Sequence, residues 1–184
     1  MTVALERPTA VRPSPTVRVA GPTDLAAVEA HMRAMLPELG GYDRRLHADV
    51  DDLPGTYLGQ RDRVLLVATD LDGGVAGTAS VRPGGPKPEF VPRWLTERYA
   101  SQSVGQVCRV WVAPSARRRG VGQALAGAAI NWAAGRFDVV CLHTNASVPG
   151  ALDFWRAFPG VVEVHDSRPD PYSTVHFEVC AARS

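Results

Sequence analysis

Apolar residues in this chain recur at two spacings, every second position in short runs and every third or fourth in longer ones, and their order predicts the elements. Thr16-Val17-Arg18-Val19-Ala20 alternates as a strand does. Pro22-Thr23-Asp24 then opens an amphipathic helix with Leu25, Val28, Met32 and Met35 among its apolar positions, ended by Pro37 and Gly40-Gly41. Tyr42 to Asp52 is charged and predicted helical, stopped by Pro54-Gly55, with too few apolar residues for deep burial. Val64 to Ala68 and Val75 to Val81 are core strands of an antiparallel hairpin, because Asp70-Leu71-Asp72-Gly73-Gly74 supplies turn residues between them. Pro83 to Gly105 is a long connection with room for one short helix, and connections of this length are often functional.

Val107 to Val112 is a strand halted at Pro114, and a helix from Gly120 to Ala134 places Val121, Leu125, Ala128, Ala129 and Trp132 on one face. Asp138 to His143 is a further strand and Gly150 to Phe158 a second amphipathic helix. Val161 to His165 and Thr174 to Cys180 close the chain as strands joined by the turn-rich segment 166–173. The order β-α-α-β-β-β-α-β-α-β-β, without internal repeats, describes a single domain over 16–184. The proline-bearing residues 1–15 have little to bury and are expected to form a mobile tail.

Composition narrows the function classes. A chain of 184 residues with 45% hydrophobic and 21% charged residues supports one core and a soluble fold. The net charge of +1 gives no field that gathers nucleic acid or a membrane surface, so neither is an expected partner. No stretch approaches the ~20 apolar residues of a membrane helix, and the first residues lack a signal-peptide core, which makes the cytoplasm the expected location. Cys108, Cys141 and Cys180 have no CxxC spacing, so neither a disulfide framework nor a metal site is expected; they read as buried small hydrophobes.

The feature that carries chemistry is a strand, a proline stop, three arginines and Gly-Val-Gly opening a helix. First-turn N–H groups of a helix lack intrahelical partners and lie at the positive end of its dipole, which suits phosphate. Gly120 and Gly122 remove side chains that would keep a pyrophosphate from those donors, and Arg117, Arg118 and Arg119 add planar cationic forks. A Walker loop is excluded because Gln123 and Ala124 follow Gly122, and a dinucleotide fingerprint because Leu125 stands where its third small residue belongs.

Arg109-Val110-Trp111-Val112-Ala113-Pro114 followed by Arg117-x-x-Gly120-x-Gly122 resembles the central signature of the GNAT superfamily, and Ala151-Leu152-Asp153-Phe154-Trp155 resembles its Ala-x-x-Phe-Tyr helix. The resemblance implies an α/β (α+β) fold with a mixed, mostly antiparallel sheet of about seven strands flanked by about four helices. It also implies acetyl-CoA as acyl donor, bound by Val110, Trp111, Val112, Arg117, Arg118, Arg119, Gly120, Val121, Gly122, Gln123, Ala124, Asn145 and Trp155. In such folds the amide of Val110 or Trp111 would polarise the thioester carbonyl, a role worth about 3 kcal/mol per donor in acyl transfer. Asn145 would reach the pantetheine arm, unless it caps its own loop.

Two departures from the family pattern stand out. The strand position of the usual glutamate base holds Gln106, expected on one face with Cys108 and Val110 by alternation, and the usual tyrosine acid is replaced by Trp155. Substitute proton carriers are His143, Tyr172, Tyr99 and Glu97; Cys108 is a weaker candidate as nucleophile. The expected acceptor is a small-molecule amine, attacking the thioester directly in a ternary complex. A peptide or protein amine and a non-catalytic acyl-CoA-binding module are the alternatives. The first two helices, the 83–105 connection with Phe90, Trp94 and Tyr99, and the 166–173 loop would bound the acceptor pocket. Asp43, Asp49, Asp51 and Asp52 either attract the amine or form a solvated helix face. Similar proteins often form homodimers, though no apolar stripe demands one here.

Overall fold

The computed structural model describes residues 15–88 and 91–180. Most of the expected tail (1–14), Phe90 and the last four residues therefore lie outside the described residues. Seven strands, β1 (Thr16–Val19), β2 (Val64–Thr69), β3 (Val75–Pro83), β4 (Val104–Val112), β5 (Val139–Asn145), β6 (Val161–Asp166) and β7 (Thr174–Val179), form one open sheet in the order β1-β2-β3-β4-β5-β7-β6. Every neighbouring pair is antiparallel except β4 and β5, so the sheet is mixed at its centre. Asp70 Oδ1 accepts the amides of Asp72 and Gly74 and closes the β2–β3 hairpin.

Six α-helices are described: α1 (Leu25–Met35), α2 (Arg44–Asp51), α3 (Leu53–Tyr57), α4 (Arg93–Arg98), α5 (Val121–Ala134) and α6 (Ala151–Arg156). On one face α5 and α6 pack Val121, Leu125, Ala129 and Trp155 against Leu66, Ala79, Val81, Val107, Leu142 and Phe177. On the other face α1 to α3 set Val28, Met32, Val50, Leu53 and Tyr57 against Leu65 and Val67. Farther along that second face α4 seats Leu95 and Tyr99 over Val104 and Cys141. Between α1–α3 and α4 the second face of the sheet carries polar side chains instead of a core.

Three sequence expectations change here. Pro54 does not stop a helix; it sits in the first turn of α3, where its missing N–H costs nothing, with Asp52 accepting Gly55 N at 2.9 Å as the cap. The charged segment over 42–52 is not shallow either, because α2 buries His47 and Val50. Of the cysteines only Cys141 is buried, while Cys108 is half-buried and Cys180 exposed. No helix of the described residues is long and apolar enough to cross a membrane.

Candidate active site

The site is made by a bulge and an early strand separation. Ser80 pairs with Cys108 and Thr78 with Trp111, so β4 spends one more residue than β3 over this stretch. The surplus is taken up at Arg109, whose φ of 54° lies in the left-handed region, and Thr78 Oγ1 donates to its carbonyl at 3.1 Å. The bulge reverses the alternation beyond it. Gln106 and Cys108 share a face with Trp111, not with Val110 as expected from the sequence, and Val110 and Val112 turn to the α5 side.

The parallel ladder between β4 and β5 ends at the Val107–Leu142 pair, although the strands continue to Val112 and Asn145. Past that pair the strands diverge and leave the inner edge of β4 without a strand partner. Ala113 N donates to Ala76 O at 3.0 Å on the β3 side. Successive amides of a strand point to opposite edges, so the N–H groups of Val112 and Val110 face the gap and that of Trp111 faces β3. Trp111 O meets His31 Nε2 at 3.2 Å, tying α1 to the strand.

The gap opens beside the start of α5. Gly120, the N-cap, has φ 80° and a Cβ there would meet nothing, so its glycine serves the left-handed backbone. Val121 is buried as the first helical residue, Gln123 is exposed and Ala124 half-buried; Ala124 N closes the first turn on Gly120 O at 3.0 Å. The preceding amides, including those of Gly122 and Gln123, are left for an outside acceptor. A Cβ on Gly122 would lie 3.5 Å from both Phe154 and Val112, which places its missing side chain toward the gap instead of the helix mouth.

The three arginines divide. Arg117 donates from Nε to Val112 O at 3.1 Å and pairs through Nη2 with Glu38 of the turn after α1, so it braces the loop. Arg118 and Arg119 are exposed and form no ion pair among the described residues. Asn145 Oδ1 accepts Ser147 N at 2.8 Å and Ser147 Oγ at 2.6 Å, which is loop capping, and leaves only its amide nitrogen for a ligand. The expectation for Trp155 changes: it is buried among Phe154, Phe158 and the α5 core, and Phe154, outside the predicted site set, is the residue of this helix that faces Gly122 and the gap.

On the second face, Gln106 is the hub. Its Oε1 accepts Nε and Nη2 of Arg82 at 3.2 and 3.1 Å, and its Nε2 lies 3.0 Å from Nδ1 of His143. Arg82 can only donate, which sets the orientation of the Gln106 amide, makes His143 Nδ1 an acceptor and leaves the His143 proton on Nε2. The His143 side chain is exposed on this face of the sheet, with its Nδ1 held against Gln106. The surrounding protein, then His176, Arg82 and Arg109, lower its pKa from the usual histidine value, so it is neutral at pH 7. As placed, His143 offers a hydrogen-bond donor, and its one lone pair is already occupied by Gln106. The Cys108 thiol is pushed up by burial, against its use as a nucleophile.

The remaining candidates are committed elsewhere. Tyr99 donates to Glu178 at 3.1 Å and packs in the α4 cluster, and Glu97 pairs with Arg93 on the surface. Of the aromatic residues in the long connection, Trp94 meets His165 edge-on at 5.6 Å. Tyr172, in the loop after β6, is close enough to Arg45 of α2 to act on it electrostatically. Asp43 caps α2 through Arg45 N, Asp51 binds Tyr42 and Arg33, and Asp52 caps α3. Asp49 is neither amine trap nor solvated: it lies buried against Arg109, with contacts of 2.5 and 2.9 Å, and accepts Tyr57 OH at 2.8 Å. Burial alone would raise its pKa; Arg109 outweighs burial and holds the carboxyl below its usual range. Two other concave regions, of about 400 and 560 Å³, border Pro86 and Phe137 in one case and Arg61 and Trp132 in the other, away from this cleft. No group of His, Cys, Asp or Glu among the described residues is arranged to hold a metal ion.

A mixed sheet split at its only parallel pair, with a phosphate-suited helix start beside the split, defines a class of coenzyme-dependent transferase folds. Residues 27–158 match the model of the acetyltransferase (GNAT) family, and the chain belongs to that family. Solved structures agree in fold. A GNAT acetyltransferase from Staphylococcus aureus Mu50 superposes with TM-score 0.64 at 13% identity, over 90% of this chain and 98% of that one. A GCN5-related N-acetyltransferase from Kribbella flavida gives 0.60 at 22% identity, over 90% and 96%. A ribosomal-protein-alanine N-acetyltransferase from Brucella melitensis gives 0.58 at 20% identity, over 89% and 98%. No curated protein matches the chain.

Proposed function

We propose that the protein moves an acyl group from a coenzyme A thioester to the amine of a small molecule, both bound at once. The observation that carries this reading is the gap between β4 and β5, lined by unpaired strand amides and opening on the first turn of α5. Arg118, Arg119 and the first-turn amides suit the pyrophosphate, and Gly122, Phe154 and Val112 border the path of the pantetheine arm. The coenzyme supplies the activated thioester. The Val110 N–H, facing the gap, is the donor available to the carbonyl oxygen as negative charge develops there, with Trp111 N–H turned away. The amine nitrogen attacks the carbonyl carbon, the carbon–sulfur bond breaks, and the thiol leaves.

Gln106 stands where a carboxylate base would serve, and it cannot take a proton. An amine that is substantially unprotonated near neutral pH, as an α-amino group of pKa ~7.8 is and a lysine-like one of ~10.4 is not, needs that base least. Orientation in the cleft then supplies much of the rate, and water carries the proton away. The sequence shows no extended acidic run suited to a basic peptide, which supports a small acceptor.

The test is free-thiol release from acetyl-CoA with a panel of amines across pH 6 to 9, beside Gly120→Glu. Release that needs both an amine and an intact Gly120 is the expected result. Thermal stabilisation by acetyl-CoA without consumption of any amine would replace this reading with that of a binding module.

A further inference from the structure

Arg82, next to last in β3, pairs directly with Gln106, and it lies half-buried on the cleft face, one side chain from His143. A guanidinium stays charged at every physiological pH, and leaving one partly buried without an anion is costly. The other arginine on this face, Arg109, is matched by Asp49. Arg82 forms no ion pair among the described residues: it donates to the neutral oxygen of Gln106 and to the Cys108 thiol, and its charge reaches Asp49 only from beyond contact distance. Asp49 is committed to Arg109 and Tyr57, and Asp170, the nearest loop carboxylate to act on the histidines, accepts both N and Oγ1 of Thr174.

The geometry also shows which part of Arg82 is in use. Gln106 takes the Nε–Nη2 edge, so the guanidinium is aimed and its Nη1 donors do not go to Gln106. Beside it the exposed His143 is neutral, with its Nε2–H not engaged by Gln106. The groups facing His143 are Arg82 from β3, Gln106 and Arg109 from β4, His176 from β7 and Asp170 from the loop. That set offers donors and an unmatched positive charge, and the match for it is an anion.

We propose that the acceptor amine carries a carboxylate, and that Arg82, aimed by Gln106 and flanked by His143 Nε2–H, is the residue that binds it. The proposal rests on the acyl-transfer reading above. Gln106 and Val110 stand four positions apart on β4, one of them absorbed by the bulge, so about 10 Å at ~3.3 Å per residue. The reach of Arg82 shortens that span, so the distance between amine and carboxylate is selected as well as the charge.

The experiment uses α-, β- and ω-amino acids of increasing length, each beside its carboxamide, with saturating acetyl-CoA, on the wild type, Arg82→Gln and Arg82→Lys. Comparing each substrate with itself across the variants removes the difference in amine pKa between acid and amide. Arg82→Gln is expected to raise KM for the preferred acid about tenfold or more, with the carboxamide and acetyl-CoA KM values nearly unchanged. Arg82→Lys, which keeps the charge and loses the fork, should restore part of the loss. Equal losses for acid and carboxamide in Arg82→Gln would overturn the carboxylate subsite while leaving acyl transfer standing. If no amine turns over, acyl transfer fails, and calorimetric titration of the acids into acetyl-CoA-loaded protein decides the subsite: binding abolished by Arg82→Gln supports it, and no binding refutes it.

Discussion

Asp49 and Arg109 show how one buried pair serves two ends. Arg109 is the residue that absorbs the bulge of β4, and its side chain crosses to α2, where Asp49 and Leu46 O receive it, with the guanidinium 4.9 Å over the Trp111 ring. The pair therefore anchors α2 to the strand whose distortion adjoins the gap between β4 and β5. Asp49→Asn would leave the Arg109 charge buried without its counter-ion, and the expected loss, read by urea unfolding at pH 7, is about 3–5 kcal/mol. A loss below about 1 kcal/mol would mean that solvent reaches the pair and that it anchors nothing.

At the scale of elements, glycines mark where two pieces of backbone must come close. A Cβ on Gly105 would lie 2.3 Å from the Phe137 ring, at the point where β4 passes the end of α5. Gly105→Ala should thus cost about 1–3 kcal/mol through overpacking. Gly122→Ala is expected to behave otherwise. Its Cβ would make ordinary 3.5 Å contacts with Phe154 and Val112, and a helical alanine is favoured over glycine by about 0.5–1 kcal/mol, so stability should hold or rise. Acetyl-CoA KM should increase as the gap narrows. Thermal melts and acetyl-CoA titrations of the two variants check both; a destabilised Gly122→Ala with unchanged KM would place that residue in core packing alone.

For the molecule as a whole, a row of histidines crosses three strands. His143, His176 and His165 face one another across β5, β7 and β6, with ring centroids 5.8 and 6.0 Å apart. Burial, then the neighbouring His165, lowers the pKa of His176 from 6.5 to about 4, and its Nε2 has no partner among the described residues. The folded state thus resists a proton that the unfolded chain accepts, so stability is full above pH 6.5 and is lost as pH falls toward 4. For His176 the loss is on the order of 3 kcal/mol over that window. The Asp49 carboxyl, held low, adds its loss only at more acidic pH. Urea unfolding at pH 7, 6 and 5 should show the decline in the wild type and a flatter profile in His176→Gln. Identical profiles would remove the histidine row as the cause.

Much of this protein was legible before any tertiary structure. The period of apolar residues located all seven strands, and the Arg-rich turn before Gly120-Val121-Gly122 marked the helix start suited to phosphate, because both signals lie among near neighbours in the chain. Pro54 misled for the same reason: as a local signal it reads equally as a stop or as a first-turn residue, and only the Asp52 cap decides. Other features depend on partners far apart in sequence. The bulge at Arg109 exists in the register with β3, and it turned Val110 to the opposite face from Gln106. Asp49 became buried by meeting a residue 60 positions away, and Trp155 entered the core because α6 packs on α5. Arg82 gave no sign in its own segment. The sequence by itself determined the strands, the family and the arginine-rich turn that opens α5, whereas pairing across the sheet decided which side chains share the cleft, since register and packing are set by contacts that no local stretch contains.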